Sequence, residues 1–203
     1  MAINLTKGQK IDLRKDNGNK LQNVCVGVNW GAIETKGFFG NKKVTAVDLD
    51  ASCATFDENN NPLEVIYFQN LKSRNGSVLH SGDDRVGDTG GDDGLDNEVI
   101  SVDFEKLDPS VSKIVFVLNS FQGQDFKIIP FAAIRIYEGT AKRVNEVFAK
   151  FDIANDISFA GSVSMVMGTF YKRNGEWKFN AIGESTKDKN LKSTIETVIS
   201  KYL

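Results

Sequence analysis

The sequence predicts an all-β fold, a β-sandwich of two antiparallel sheets with a short C-terminal helix, on three observations. Apolar, β-prone runs of about five residues recur along the chain, punctuated by glycine, asparagine and proline. Asn174-Gly175 separates two such runs, and both residues tolerate the positive φ that a two-residue hairpin turn demands. Near the C-terminus the apolar spacing changes from that of a strand to that of a helix. The 203 residues are enough for one sizeable core and read as a single domain, with the sandwich over about 1–187 and the helix over about 188–203.

In order, Ile3, Leu5, Ile11 and Leu13 alternate around Lys7-Gly8-Gln9 and predict two short strands and a turn. Val24-Cys25-Val26-Gly27-Val28 is nearly continuous and suits a strand buried on both faces, with Trp30 following as core. Residues 31–43 read as a loop punctuated by Gly37 and Gly40. Residues 44–51 form the next expected strand, with Val47, Leu49 and Ala51 on one face and Asp48 and Asp50 on the other. Aspartate is depleted in strands, so this pair marks either a solvent-facing edge or a site. Asn59 to Pro62 makes a turn, and 63–68 returns as the hairpin partner. Strands are expected at 99–104, 114–119 and 128–137, the last with Pro130 near its start. Residues 140–153 fit helix and strand periods equally. Residues 158–171 and 177–182 flank the Asn174-Gly175 turn. Leu191, Ile195, Val198, Ile199 and Tyr202 then mark one face of a helix beginning near Lys189.

The chemistry concentrates in residues 82–98, GDDRVGDTGGDDGLDNE. Asp83, Asp84, Asp88, Asp92, Asp93, Asp96 and Glu98 are seven carboxylates against the single Arg85, a local charge of −6 in a chain that sums to −2. Two carboxylates about 5 Å apart repel by roughly 3 kcal/mol at an effective dielectric near 20. A compact loop holding seven therefore needs a cation, or it stays open. Five glycines let the backbone fold closely around something small. Irregularly spaced hard oxygens suit Ca²⁺, and the charge leaves room for about two ions. A solvated acidic linker is the alternative, but the loop is bracketed by apolar, β-prone sequence and lacks the proline, serine and lysine of linkers. The EF-hand frame is absent, and Gly90-Gly91-Asp92 starts a calcium-binding nonapeptide repeat that never recurs.

Other classes are poorly supported. No basic patch offers a nucleic-acid surface. No apolar run approaches the ~20 residues that span a bilayer, and the N-terminus has no signal-like apolar segment, so a cytoplasmic protein is expected. Cys25 and Cys53 read as buried free thiols, with a disulfide between them as the alternative. His80 is the one histidine and no G-x-S-x-G elbow accompanies it, so it reads as a structural residue at the strand end before the loop.

Taken in order, Leu5-Thr6-Lys7-Gly8, the VGVNW segment at 26–30, Asp48-Leu49-Asp50-Ala51-Ser52, SVLHSGD at 77–83, Asn97-Glu98-Val99-Ile100 and Gly175-Glu176-Trp177-Lys178-Phe179 resemble the TerD-type tellurium-resistance, or calcium-binding stress protein, family. The acidic loop combined with the upstream DLDAS is the specific part. The resemblance implies a non-enzymatic β-sandwich that binds calcium through this loop and works with other proteins of a stress response. It makes Asp83, Asp84, Asp88, Asp92, Asp93, Asp96 and Glu98 the ligand pool, with Asp48 and Asp50 completing the shell. Two departures stand out: Gly94-Leu95-Asp96-Asn97 lengthens the loop, and Gly31 replaces the aspartate that commonly follows the tryptophan. An enzymatic alternative is a metal-dependent phosphohydrolase with Asp48 as nucleophile, Asp50 as acid and the acidic loop holding Mg²⁺. It would need parallel strands and crossover helices, where 51–82 reads as a hairpin.

Overall fold

The computed structural model describes residues 2–14, 18–36, 41–153 and 157–203. Its strands are β1 (Ile3–Asn4), β2 (Lys10–Asp12), β3 (Asn23–Trp30), β4 (Ile33–Lys36), β5 (Lys42–Thr45), β6 (Leu49–Phe56), β7 (Pro62–Ile66), β8 (Val78–His80), β9 (Glu98–Asp103), β10 (Lys113–Ser120), β11 (Ala132–Thr140), β12 (Arg143–Asp152), β13 (Ser164–Arg173) and β14 (Glu176–Thr186), followed by helix α1 (Leu191–Lys201). Two six-stranded sheets result, ordered β1-β12-β11-β3-β9-β8 and β2-β14-β13-β10-β6-β7. Every pairing in them is antiparallel except β1 with β12. The expected sandwich is present.

Strand alternation builds the core. Val24, Val26 and Val28 of β3 and Ile134 and Ile136 of β11 face Leu49, Ala51 and Cys53 of β6 and Ile114, Phe116 and Leu118 of β10, all buried in one cluster. The opposite face of the second sheet carries Ala54, Phe56, Val115 and Val117, covered by Ile195 and Val198 of α1. Burying each of those two helix side chains contributes about 2 kcal/mol. Asn190 starts the helix by accepting the Ser193 N–H at 3.0 Å. Asn174 (φ 54°) and Gly175 (φ 77°) form the expected hairpin turn between β13 and β14.

Several expectations change. The first two short strands are not a hairpin: β1 joins one sheet and β2 the other, so the N-terminus laces both edges. Residues 31–43 contain most of the β4–β5 hairpin, with Gly37 and Gly40 outside the described residues. The expected strand at 44–51 is divided, because the chain leaves β5 at Thr45 and starts β6 only at Leu49. Pro130 precedes β11 instead of lying within it, since a proline cannot donate to the ladder. The ambiguous 140–153 is strand β12, decided by its long pairing with β11. Cys25 and Cys53 are free and buried in separate clusters, as expected, and burial raises both thiols above their ordinary range.

Candidate metal centre

The acidic loop connects β8 to β9 and is stitched to the body by backbone pairing. Ala32 donates to Asp88 O (2.9 Å), Asp88 to Trp30 O (2.9 Å) and Val47 to Val86 O (2.9 Å). The Trp30 indole donates to Val47 O at 2.8 Å, so a fully buried ring supports the loop from beneath. All five loop glycines have positive φ. Gly87 is the most constrained: at φ 74° its added Cβ would stand 2.6 Å from Trp30 Cδ1. Gly87→Ala combines a left-handed backbone with overpacking. It is expected to cost about 3 kcal/mol, read as a lower urea midpoint with unchanged m-value.

The sequence-expected ligands divide into three sets. Asp48, Asp50 and Asp83 present carboxylate oxygens within 4.8 Å of one another, and so do Asp88, Asp92 and Asp93. Asp84, Asp96 and Glu98 are turned to other partners. Asp84 Oδ1 accepts from Val86 N (2.9 Å) and Gly87 N (3.0 Å), closing the turn at the loop's start. Asp96 is buried beneath the loop against Arg135, whose Nε donates to its Oδ1 at 2.8 Å. Burial raises the Asp96 carboxyl despite that partner. Its side chain fills the space above Gly27, where a Cβ would come within 2.1 Å of Oδ2.

Glu98 spans the two sheets. Its Oε2 accepts the Ala51 N–H at 2.7 Å, and its Oε1 accepts the Asp84 N–H at 3.2 Å. His80 completes the clip, with Nε2 donating to Ala51 O at 2.9 Å and Nδ1 accepting from Gly82 N at 3.1 Å. The reason lies in the register. β7 pairs with β6 only over Cys53–Phe56, so the edge at Ala51 is left to the two side chains. Burial raises the Glu98 carboxyl, opposed by His80 3.5 Å away. For His80, burial pulls downward, but the Glu98 carboxylate prevails and the ring is raised. His80 is thus the structural residue that was expected.

The Asp48 triad has the character of a cation site. Asp48 and Asp50 are 2% and 7% exposed, not a solvent-facing edge. Both extend on the outer side of the second sheet, Asp48 just before β6 and Asp50 as its second residue. Asp48 Oδ1 is buried with no hydrogen-bond partner. Burial raises the Asp48 carboxyl, Asp83 adds to the shift and Arg85 relieves part of it. Asp50 is pushed up to about 7 by burial, then by Glu98, Asp48 and Asp83. Three carboxylates this close repel by about 3 kcal/mol per pair at an effective dielectric near 20. A divalent ion removes that cost, and the orphaned Asp48 oxygen is an acceptor fit for one.

In the second cluster the oxygens are already engaged. Asp88 accepts from Asn97 Nδ2 (3.0 Å) and Asp93 N (3.2 Å), while Asp92 Oδ1 accepts from Asn29 Nδ2 (2.8 Å) and Gly94 N (2.7 Å). Asn97 and Asn29 hydrogen-bond the loop aspartates, and sequence reasoning passed over both. Asn97 holds Asp84 and Asp88 with its amide and accepts the Trp30 N–H at 2.7 Å. Asn29 keeps a buried, unpartnered Oδ1 beside Asp92. Only Asn97 carried a sequence signal, an amide between two acids in DNEV; Asn29 sits in VGVNW with no acid beside it.

The TerD domain family matches residues 1–197. The chain belongs to the TerD family. Stress response protein SCP2 of Bacillus subtilis is 36% identical over the whole of both chains. Tellurium resistance protein TerZ of Serratia marcescens is 30% identical over 99% of each. The crystal structure of a telluride resistance protein (TerD) homologue from Streptomyces coelicolor A3(2) superposes with a TM-score of 0.65 at 17% identity, covering 84% of this chain and 94% of that one. This likeness speaks for the fold. The TerD-type departure at Gly31 has a steric basis here: an added Cβ would lie 2.6 Å from the Phe131 ring. No helix among the described residues is long and apolar enough to cross a membrane.

Proposed function

We propose that this TerD protein is a non-enzymatic calcium-binding protein of a cytoplasmic stress response, in which the bound ion fixes the acidic loop as a rigid surface for protein partners. The observation that carries this reading is the Asp48–Asp50–Asp83 triad, with its buried and unpartnered Asp48 Oδ1. The first Ca²⁺ would be held there, and a second, weaker one at Asp88, Asp92 and Asp93, where hydrogen bonds compete for the same oxygens. Bound calcium supplies charge neutralisation, and the chain supplies the rest. Trp30, Asn97 and the Glu98–His80 clip hold the loop against the body of the sandwich through hydrogen bonds of the chain's own. The names of the relatives, which refer to tellurium resistance and stress response, support the physiological setting.

The phosphohydrolase alternative is not favoured. Asp48 precedes and Asp50 lies near the beginning of β6, whose neighbours β7 and β10 are both antiparallel to it, and β6 and β7 form a hairpin. No crossover helix follows the strand among the described residues.

Calorimetric titration with calcium tests the proposal. Two binding events of different affinity are expected. Asp83→Asn, at an exposed position, is expected to weaken the tighter event by at least about tenfold, since each lost charge-assisted contact is worth about 1.5–3 kcal/mol. Asp93→Asn is expected to weaken only the second. Absence of heat at millimolar calcium, or equal effects of the two variants, overturns the assignment.

A further inference from the structure

Beyond the acidic loop, a cavity of about 420 Å³ opens on the outer face of the second sheet, beside the N-terminus of α1. This is within the size range of small-molecule sites. Its floor is polar where the neighbouring part of that face, under the helix, is mainly apolar. Asp50 and Ser52 of β6 and Asn119 of β10 line it, whereas further along the same strands Ala54, Phe56, Val115 and Val117 pack under the helix. Ser52 and Asn119 are 1% and 5% exposed, and both Ser52 Oγ and Asn119 Oδ1 lack a hydrogen-bond partner. Asn119 spends its amide on Ser164 Oγ (2.8 Å) and Thr194 Oγ1 (2.9 Å), so the free carbonyl oxygen is an acceptor left over in the cavity wall. Buried polar atoms without partners cost free energy, and their presence in a cavity wall points to a ligand that satisfies them.

The remaining walls define that ligand. Phe68 and Phe121 meet edge to face at 5.8 Å, and Phe121 is 62% exposed although no core requirement keeps it there. Such a pair suits a flat ring. Lys189 and Lys192 also line the cavity, with no acidic residue in the first helical turn. Cations at a helix N-terminus oppose the macrodipole, so the pair gathers positive potential where the fold alone would disfavour it. The cavity thus brings together buried acceptors and a carboxylate, an aromatic pair and two lysines.

We propose that this cavity is a second binding site, for a small aromatic molecule that carries both an ammonium or comparable hydrogen-bond donor and a carboxylate. The donor end reaches Asp50, Ser52 and Asn119, the ring packs on Phe68 and Phe121, and the acidic end faces Lys189, Lys192 and the helix N-terminus.

The test is a titration of 4-(aminomethyl)benzoate into isotope-labelled full-length protein, followed by amide chemical shifts. It is run in EDTA, so that it stands or falls separately from calcium binding. Saturable shifts are expected at Ser52, Asn119, Phe121 and Leu191. Benzylamine and benzoate, each lacking one charged end, are expected to bind at least about tenfold more weakly. Phe121→Ala, which removes an exposed ring without disturbing the core, is expected to weaken binding about fivefold. Lys192→Glu is expected to abolish the preference for the zwitterion over benzylamine. No saturable shifts at those residues, equal affinity for all three compounds, or undiminished binding by Phe121→Ala overturns the proposal.

Discussion

In EDTA, the protein is expected to become less stable as the pH rises from 5 to 8, and calcium is expected to cancel that loss. Asp50 is the main cause. Its carboxyl moves from 3.8, the value of an unconstrained aspartate, to about 7 in the fold. A group raised on folding keeps its stabilising contribution below its unfolded value and loses it as the pH climbs through the folded one. The window for Asp50 therefore runs from about 4 to about 7. Asp48, Asp88, Asp96, Glu98 and His80 are raised as well and act in the same direction. The lowered carboxylates, such as Asp12, Asp57 and Glu176, act oppositely, but their windows lie below about 4.5 and leave this range clear.

The displacement of Asp50 is worth roughly 4 kcal/mol in full, of which about 3 kcal/mol is lost between pH 5 and pH 8. That is a large share of the 5–15 kcal/mol typical of a folded domain. Calcium reverses the trend because it binds the ionised triad, and an ion at a hundred times its dissociation constant adds ~2.7 kcal/mol on its own. Urea unfolding at pH 5 and pH 8, with EDTA or with calcium, measures both effects. Asp50→Asn should flatten the EDTA series and blunt the response to calcium. A wild-type protein whose stability in EDTA holds or rises over this range would show that the triad is not strained, and the cation reading would go with it.

The sequence made the sandwich and the acidic loop legible for different reasons. Alternation and turn chemistry are local, so β3, β9, β10, the β13–β14 turn and α1 could all be read from short windows, whereas β6 begins several residues later than its local pattern predicts. What escaped depends on distant partners. Nothing near Lys10 says that β2 leaves its neighbour β1 to pair with β14 in the other sheet. Nothing near Gly31 says that Phe131 packs over it. At the site the pattern is similar. Clustered aspartates announce a cation by charge alone, but charge does not distinguish an acid facing its fellows from one claimed by backbone N–H groups or by Arg135. That distinction follows from sheet register, which places Asp50 and Ser52 on one face of β6 and leaves the Ala51 edge to Glu98. The amides of Asn29 and Asn97 carry no charge to betray them, yet they set the orientation of three aspartates.

Glu98→Ala is expected to destabilise the protein by about 3–5 kcal/mol, and by the same amount with calcium as without it. The side chain is fully buried, and its two oxygens take N–H groups from the second sheet and from the acidic loop, Ala51 at 2.7 Å and Asp84 at 3.2 Å. Truncation strands both donors and also leaves His80 beside an empty space. Breaking a buried charged pair by removing one partner costs in this range. Glu98→Gln keeps one carbonyl oxygen for the Ala51 N–H but puts an NH₂ group toward the Asp84 N–H or His80, and an intermediate loss of about 1–2 kcal/mol is expected. The comparison across calcium concentration gives the experiment its force. A residue that holds the loop to the second sheet weakens apo and calcium-bound protein alike, while the tighter calcium affinity falls only as far as the loop loosens. A carboxylate that binds the ion would instead leave the EDTA-treated protein nearly unchanged, or even relieve its repulsion with Asp50, and lose most of its effect on removal of calcium. Chemical unfolding of both variants in the two buffers, with calorimetry on the folded forms, decides between these roles for Glu98, which joins the two sheets.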